Sequence, residues 1–581
     1  MGLGILEDHA LDQVPGTALV LASDEQQRRV ERNVANGHRA LKYDKTGKIL
    51  LVPQPSDDPN DPLNWSIFRR DLATFILSLT AIFASTLSPL LAANTVSLAL
   101  FFGRDLTSMA LLTGYHLLGV GLAGLLFVPS ARIWGKRHIY LLAMVLVIAS
   151  SVWGGATGKN YTSFLLARVM QGVGLAPFEA LVNASVGDMY CVHERGVRMA
   201  VSNFCVFGGA FFTPVVVGVI SARLGYEWSF YLVAILTAAM LPAVYFGVPE
   251  TTWVREEGWG VDSLGNLIGV EMSKKAGTES GIREGQEQIG ENKVPASTDS
   301  EDQHNTPESS TTPERKFTFR DSIALFNGRK SEEPFLRLFL RPFSLFLHPS
   351  IVWACLVQGV LIGFTVLIGI VLAAIMLGPP LWFGELETGY MYTGAFLGAL
   401  IGFALTGLLA DPSAAFLTRL NGGVYEPEFR LVLVIPQLVF GGAGLIGFGI
   451  TANDASKYGW FWPDFFFALV VLGMVCGAVG AALYIVDAHR DMAVEGFTCL
   501  LVFKNLFAFA LTFKGFDWIV QAGRKGQGLD SVFRWCGIAQ IAVCCLSIPL
   551  YVLGKKNRSF WWRHNVFFTV TDWVADRLTF W

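Results

Sequence analysis

The sequence predicts an all-α membrane protein with twelve transmembrane helices in two six-helix bundles. Of its 581 residues, 52% are hydrophobic and only 16% are charged, whereas a soluble domain averages about 25% charged residues. The chain therefore has too few polar side chains for a water-facing surface, and lipid must supply an apolar environment. Apolar stretches of membrane-spanning length occur six times before a long polar gap and six times after it.

Each predicted span follows from its length and composition. A helix needs ~20 mostly apolar residues to cross the hydrocarbon core of a bilayer. In the first half such stretches centre on 72–94, 108–129, 138–156, 162–184, 199–220 and 229–248. In the second half they centre on 350–376, 389–410, 431–450, 463–486, 497–516 and 533–553.

The segments outside the spans complete the domain organisation. The linker is expected to be largely disordered, because 273–313 has almost no large apolar residues. Positions 333–341 set apolar residues opposite arginines, which predicts an interfacial helix, unless the stretch simply begins the seventh span. The predicted units are a cytoplasmic N-terminal segment at 1–70, bundles at 71–249 and 349–554, a cytoplasmic linker at 250–348 and a cytoplasmic amphipathic tail at 555–581.

The distribution of lysine and arginine between short loops predicts the orientation. Loops on the side of the two termini hold most of these residues, and loops on the other side hold mainly single ones. The loop with Arg524 and Lys525 breaks the pattern. We expect a multi-pass protein with both termini in the cytoplasm, and we take the plasma membrane as its location because no sorting signal is recognisable.

Short motifs occur in a consistent order along these spans. Positions 54–66 read QPSDDPNDPLNWS, 168–174 read RVMQGVG, 209–218 read GAFFTPVVVG and 248–251 read VPET. The second half adds NGGVYEPEFRL at 421–431 and the stretch 487–505. On these residues the chain resembles the major facilitator superfamily, specifically its fungal branch of twelve-helix drug:proton antiporters and related cation and polyamine carriers.

The resemblance implies the major facilitator fold, with substrate bound between the bundles and access alternating as they tilt. It also associates the span-five motif, which contains Gly209, Pro214 and Gly218, with antiport. The match is imperfect at Arg132, where the family usually has an acid, and this departure calls the usual latch between that acid and a helix end into question. The equivalent loop of the second half keeps its acid, Asp411.

A charged side chain in the middle of the bilayer is energetically unfavourable, and such a residue usually has an oppositely charged partner or a function. Span four contains Arg168 and Glu179, and helical steps of three and four place Arg168, Gln171, Leu175, Glu179 and Asn183 on one stripe. We predict that this stripe faces a central cavity, where Glu179 and Asn183 share a cation or a proton. Glu179 either titrates and binds substrate in alternating states or is permanently hydrogen-bonded. Arg168 either contributes to proton coupling, as the resemblance implies, or fixes backbone carbonyls.

Polar residues in three other spans are further candidates for the substrate and proton pathway. Tyr115 and His116 lie in span two, and a histidine titrates near physiological pH, although a lone helical histidine is more often a packing residue. Lys504 and Asn505 interrupt span eleven, where Lys504 either faces the cavity or snorkels to an interface. Gln358 in span seven is a weaker candidate.

Acidic and basic residues are interleaved on the side of the termini, and we predict that ion pairs among them gate the cytoplasmic side. A solvated basic rim is the alternative, but it accounts less well for the acids. The gate candidates are Arg132, Lys136, Arg137, Asp188 and Arg195 in the first half, and Asp411, Arg419, Arg430, Asp487 and Arg490 in the second. Asn160 begins the only N-glycosylation sequon that the predicted orientation places on the side of the membrane away from the cytoplasm.

The sequence does not predict an enzyme. It has no H-E-x-x-H motif, no metal-binding Cys/His spacing and no phosphate-binding Gly-Lys-Ser/Thr loop. We expect no cofactor, no metal and no nucleic acid, and a monomer whose partners are a small-molecule substrate, protons and the lipid bilayer. The leading hypothesis is proton-coupled secondary transport by alternating access, as efflux of a drug or secondary metabolite. Uptake of a cation, polyamine or other nutrient is the alternative, and a non-transporting membrane sensor is a minor one.

Overall fold

The computed structural model describes residues 3–6, 14–19, 42, 51, 53, 55–253, 317–489, 492–524, 528–564, 569, 571 and 577. The linker stretch predicted to be disordered and most of the predicted tail lie outside these residues. Together the described segments form helical bundles and one two-stranded sheet, in which β1 (Ala18–Leu19) pairs with β2 (Val424–Tyr425).

The first half is built from seven helices. Ser66 caps the first of them, because its hydroxyl accepts a hydrogen bond from the Arg69 amide. Asn160 caps the fifth in the same way through the Ser163 amide. The helices are α1 (Ile67–Ser85), α2 (Thr95–Phe102), α3 (Leu106–Trp134), α4 (Arg137–Gly155), α5 (Tyr161–Met189), α6 (Val192–Leu224) and α7 (Tyr226–Gly247).

The first predicted span is interrupted. Span 72–94 was expected to be continuous, but α1 ends at Ser85 and the chain turns through positions 86–94 before α2 begins. In the described residues eleven helices are long and apolar enough to cross a membrane, and α1 is not among them. Its 19 residues include Arg69, Arg70 and Asp71 near the start. It packs against α5, α6 and α7, as a member of the same bundle.

The second half follows two short linker helices, and its third long span changes helix type along its length. Pro427–Leu433 form a 3₁₀ turn, and Gln437–Gly441 form a π turn in which the Gln437 amide donates to the Val357 carbonyl. The linker helices are α8 (Phe319–Ser322) and α9 (Phe335–Leu345). The others are α10 (Pro349–Leu377), α11 (Glu385–Tyr390), α12 (Thr393–Leu420), α13 (Val434–Pro436), α14 (Gly442–Asn453), α15 (Ala455–Tyr458), α16 (Phe461–Ala488), α17 (Ala493–Arg524), α18 (Leu529–Cys545) and α19 (Ser547–His564).

The two halves meet along two seams. In one seam α3 packs along α17, and in the other α6 packs against α11 and α12. We call the end of the bundle where α1 begins and α3 and α5 end the terminal face, and the other end the opposite face. The helix predicted around 333–341 is α9, which packs against both α3 and α17 at the terminal face.

Glycines allow the helices to approach within backbone contact, as is common in membrane bundles. At Gly172 of α5 an added methyl group would overlap the carbonyl oxygen of His116 on α3. At Gly187 of the same helix an added methyl group would meet no atom within 4 Å. The two positions therefore form a matched pair for testing the packing of α3 against α5.

We predict that Gly172→Ala destabilises the folded protein by roughly 1–3 kcal/mol, because α3 and α5 must move apart. Gly187→Ala should leave stability unchanged or raise it slightly, since alanine favours a helix over glycine. Thermal unfolding of the purified proteins, followed by size-exclusion chromatography, measures both. Equal melting temperatures for the two variants would contradict the close packing.

Candidate functional site

The site is centred on an ion pair between the two halves. Glu179 lies on α5 and Lys504 on α17, and Nζ of Lys504 is 2.8 Å from Oε2 of Glu179. Both side chains are only about a tenth exposed (11% and 10%). The Asn505 amide also donates to Glu179 Oε2, at 3.4 Å, and to the Leu501 carbonyl, at 2.9 Å. Lys504 therefore faces the cavity side of its helix, which was one of the two predicted alternatives.

The ion pair separates two cavities. The larger, of about 150 Å³, lies towards the opposite face and has mostly apolar and aromatic walls, including Phe207, Phe211 and Phe467. The smaller, of about 40 Å³, lies towards the terminal face. Glu179 and Lys504 line both cavities. This carboxylate can thus be reached from two separate chambers.

Three amide side chains are among the residues that line the smaller cavity. The Asn183 side chain donates to Asn203 Oδ1 at 2.8 Å and accepts from the Ser202 hydroxyl at 2.9 Å. Gln358 also lines this cavity, and its buried Oε1 has no hydrogen-bond partner among the described residues. Asn183 and Glu179 line the same chamber, but each is bonded to a different helix, so the structure shows no shared contact between them.

The rest of the predicted stripe on α5 does not reach the cavities. Arg168, Gln171 and Leu175 are essentially fully buried against neighbouring helices. The Arg168 guanidinium donates to the carbonyls of Leu87 (2.7 Å) and Ser88 (3.3 Å) and to Gln171 Oε1 (2.9 Å). These carbonyls lie where α1 is interrupted, so Arg168 satisfies backbone groups that a broken helix leaves without partners. The stripe was wrong for these three residues because the half of α5 nearer the opposite face packs inside the first bundle.

The two candidates in span two are packing residues in this structure. His116 is fully buried and its Nδ1 lies 3.2 Å from the Arg168 carbonyl oxygen. The ring of Tyr115 packs against Phe509 of α17 with 5.7 Å between centroids. Neither side chain is among those that line the two cavities beside Glu179. Both lie at helix contacts, Tyr115 in the seam between the halves.

The terminal face of the first seam is closed by Arg132 and Glu495. The Arg132 guanidinium on α3 donates to Glu495 in the first turn of α17. Glu495 is almost completely buried, whereas the Arg132 side chain is one-third exposed (33%). Arg341 of α9 approaches the same carboxylate at 3.7 Å and is held by Glu333 at 2.5 and 2.9 Å. Arg132, which stands where the family usually has an acid, therefore still joins the halves. Here α3 supplies the positive charge and α17 the negative one.

The other first-half gate candidates hold that half together. Lys136 pairs with Asp188 at 2.5 Å, and Glu250 accepts from the amides of Lys136 and Arg137 at the start of α4. Arg137 donates to the carbonyls of Tyr245 and Val248, and Arg195 to those of Gly187 and Tyr190. These contacts stay within the first half and make it rigid, and Arg137 also donates to the linker carbonyls of Ser322 and Ile323. None of them closes the seam.

In the second half Arg430 binds Asp411 (3.0 Å) and Asp487 (3.1 Å), and the Tyr425 hydroxyl also donates to Asp487. The Asp411 carboxylate lies against α6, where a methyl group on Gly196 would be 2.5 Å from its Oδ2. This network therefore reaches the other half through Asp411. Arg419 is exposed, with no ion pair among the described residues, and Arg490 lies outside them.

The motif on α6 lies partly within the first half and partly in the second seam. Gly209 packs on Ile82 of α1, whereas Gly218 packs on α11, where an added methyl group would lie 2.9 Å from the Glu385 carbonyl oxygen. The Pro214 carbonyl oxygen lies against Gly389. Near this contact the Ser221 hydroxyl donates to the Glu385 carboxylate at 2.7 Å, which joins the halves towards the opposite face.

Sequence reasoning missed four polar partners at these contacts: Glu495, Arg341, Asn203 and Glu385. A signal existed for the two acids, because Glu495 and Glu385 stand just before predicted apolar spans. Their partners come from distant parts of the chain, so the pairing itself was not readable. Asn160 is exposed and caps α5, and its glycosylation stays a prediction.

Comparison with known proteins identifies the family. The model of the Major Facilitator Superfamily matches residues 72–509. The chain belongs to this superfamily. This membership confirms the predicted fold class and makes the protein a multi-pass membrane protein that carries out secondary transport of small molecules.

Similar members of the superfamily occur in fungi. Protein HOL1 of Saccharomyces cerevisiae is 27% identical over 95% of this chain and 96% of its own length. The MFS transporter cpaT of Aspergillus oryzae is 23% identical over 86% and 90%, respectively. Among solved structures, a D-xylose-proton symporter superposes with a TM-score of 0.53 at 14% identity, covering 84% of this chain and 99% of that protein. At that identity the structural likeness supports the fold alone.

We predict that breaking the Arg132–Glu495 pair opens the terminal face. Either Arg132→Glu or Glu495→Arg alone should place like charges in contact, and the double exchange should restore the pair. A coupling of about 1–3 kcal/mol between the two residues corresponds to a 5- to 150-fold change in the equilibrium between the closed and the open terminal face. Ala482 lines the smaller cavity. The rate at which an impermeant maleimide added at the terminal face labels Ala482→Cys measures how far that face is open.

The matched control is Arg419→Glu, which reverses a charge on the exposed rim. It should leave labelling unchanged. If the exchanged double variant is labelled as fast as the single variants, the pair does not hold the seam.

Proposed function

We propose that this protein is a proton-coupled exporter of small organic molecules, drugs or secondary metabolites, and that Glu179 couples proton binding to alternating access. The observation that carries the proposal is the Glu179–Lys504 pair, which joins the halves between two cavities. It operates as a monomer and needs no cofactor. The arrangement of its charges and cavities supports each part of this mechanism.

The ion pair can respond to a proton. Two charges in a low-dielectric interior are stable mainly when they are paired, and leaving one unpaired costs several kcal/mol. If the halves separate at this point, Glu179 must find another partner, and a proton or a cationic substrate can serve. Protonation removes the attraction to Lys504, while the Asn505 amide still has an oxygen to bind. Proton and substrate thus compete for one carboxylate.

The two cavities suit different occupants. The larger has aromatic walls with a few hydroxyl groups, including those of Thr113 and Thr365, so it suits an organic molecule with an apolar body. The smaller, lined by Asn183, Asn203 and Gln358, suits water and proton exchange. A proton can therefore leave Glu179 towards the terminal face while the larger cavity handles substrate.

The orientation follows from the charges of the loops. Most short-loop lysines and arginines lie on the terminal face, which favours a cytoplasmic location for that face and for both chain termini. The larger cavity then lies towards the outside of the cell. In this orientation protons enter from the outside and are released through the smaller cavity to the cytoplasm as substrate is exported.

Uptake of an organic cation is a second candidate, favoured by one observation. Glu179 is the only acidic residue among the described residues that line the larger cavity, so a cation arriving from outside would find a single counter-charge there. Flux of polyamines and metabolites in everted and right-side-out vesicles with an imposed pH gradient separates export from uptake.

We predict that Glu179→Gln abolishes the pH-gradient dependence of transport and lowers gradient-driven flux at least ~10-fold, as expected when a positioned proton-transfer group is lost. The glutamine has nearly the size of glutamate and keeps one oxygen for the hydrogen bonds from Lys504 and Asn505, but it leaves the Lys504 charge unpaired, so flux is compared per amount of folded protein. The assay uses vesicles from cells that lack the gene and carry either form.

Glu227→Gln is the matched control, because Glu227 lies in the first turn of α7 and lines neither cavity. It should transport normally. Gradient-dependent flux that survives Glu179→Gln would remove this residue from the coupling mechanism.

A further inference from the structure

A segment from the beginning of the chain lies on the terminal face of the second half. Residues 14–19 run across it, and Ala18 pairs with Tyr425 and Leu19 with Val424 in an antiparallel ladder. Val14 is buried (5% exposed). The segment that precedes the first bundle is therefore docked on the second bundle.

The surface below this segment is a buried cluster of charges. Arg558 of α19 binds Glu428 through two hydrogen bonds of 2.8 and 3.0 Å and Glu426 through one of 2.9 Å. Lys555 binds the other oxygen of Glu426 at 2.9 Å. Arg558, Glu426 and Glu428 are 1%, 3% and 0% exposed. The cluster contains two carboxylates and two cations, so its charge is balanced without another ion.

The docked segment supplies the remaining hydrogen bonds of this cluster. The Thr17 hydroxyl donates to Glu426 Oε2 at 2.6 Å, and Arg558 donates to the Pro15 carbonyl oxygen. If the segment left, these groups would either be exposed to water or stay buried without a partner, and a buried group without a partner destabilises the structure. The segment therefore fits this surface through side chains as well as through strand pairing.

The docking of residues 14–19 requires glycine at position 16. Its φ of +85° lies in the left-handed region that favours glycine, and an added methyl group would lie 2.7 Å from the Asp487 carbonyl oxygen. Any larger residue at this position would be strained and would collide with the end of α16. A single substitution can thus remove docking without changing the charges.

The docking site adjoins the gate network of the second half. Strand β2 contains Tyr425, whose hydroxyl binds Asp487, and Arg430 joins Asp487 to Asp411. Asp411 in turn lies against Gly196 of the first half. Pairing of β1 with β2 consequently fixes the loop from which this network starts.

We propose that the groove formed by β2, the end of α16 and α19 is a docking site for residues 14–19 of the same chain, and that its occupation stabilises the closed terminal face. Lys42 is held near the start of the first half by Asp57, at 2.8 Å, and the chain between positions 19 and 42 can extend to roughly 80 Å at ~3.3–3.6 Å per residue. Such a tether does not restrain the halves by itself, so the effect depends on occupation of the groove. The proposal is independent of substrate and direction of transport.

A synthetic fluorescent peptide of residues 10–22 tests the groove directly. It should bind a carrier from which residues 2–19 are deleted, and should not bind the full chain, whose own segment occupies the groove. The same peptide with Gly16→Val should bind at least ~10-fold more weakly. Equal binding to both carriers, or equal binding of both peptides, would overturn the proposal.

Hydrogen–deuterium exchange tests the link to the gate in the full chain. Gly16→Val should speed amide exchange at 424–431 and 484–489, whereas deletion of 28–33, a control that shortens the stretch between the segment and Lys42 by six residues, should not. This measurement also decides the question if the deleted carrier does not fold. Unchanged exchange in Gly16→Val would show that the segment does not support the gate.

Discussion

The buried ion pair between Glu179 and Lys504 sets the main constraint on this structure. Its two residues come from different halves, and neither charge is stable at that depth without the other or a substitute. The halves are therefore held in register at the centre of the bundle by an interaction that a proton or a cation can replace. A purely apolar contact at this position would hold the halves equally well but could not respond to either.

The remaining contacts divide into those that make each half rigid and those that can be broken. Arg168 holds the interrupted end of α1, and Glu250 holds the start of α4, both within the first half. The polar contacts that join the halves near the two faces, Ser221 with Glu385 and Arg132 with Glu495, can be broken when the halves move. This division is what movement of two rigid bundles about a shared cleft requires.

The sequence predicted well what depends on local composition. The long apolar stretches became helices, and the cost of a buried charge directed attention to Glu179 and Lys504, which form an ion pair in the structure. The interruption after Ser85 was missed, because the carbonyls it exposes are satisfied by Arg168 from a different helix. Of the stripe on α5 only Glu179 and Asn183 line the two cavities, since periodicity tells which residues share a face but not which neighbour covers it. Partners such as Asn203 and Glu495 depend on the fold and could not be predicted.

The exchanged charges at Arg132 show why a departure from a family pattern need not remove a contact. A carboxylate is favoured near the N-terminus of a helix, where the helix dipole is positive. In the second seam Asp411 of α12 lies against the beginning of α6. In the first seam the carboxylate is Glu495 of α17 itself, and the opposite half contributes the cation Arg132. Both seams thus place an acid beside the start of a helix. In the first seam this acid is on α17 instead of α3, and its attraction to Arg132 still joins the two halves.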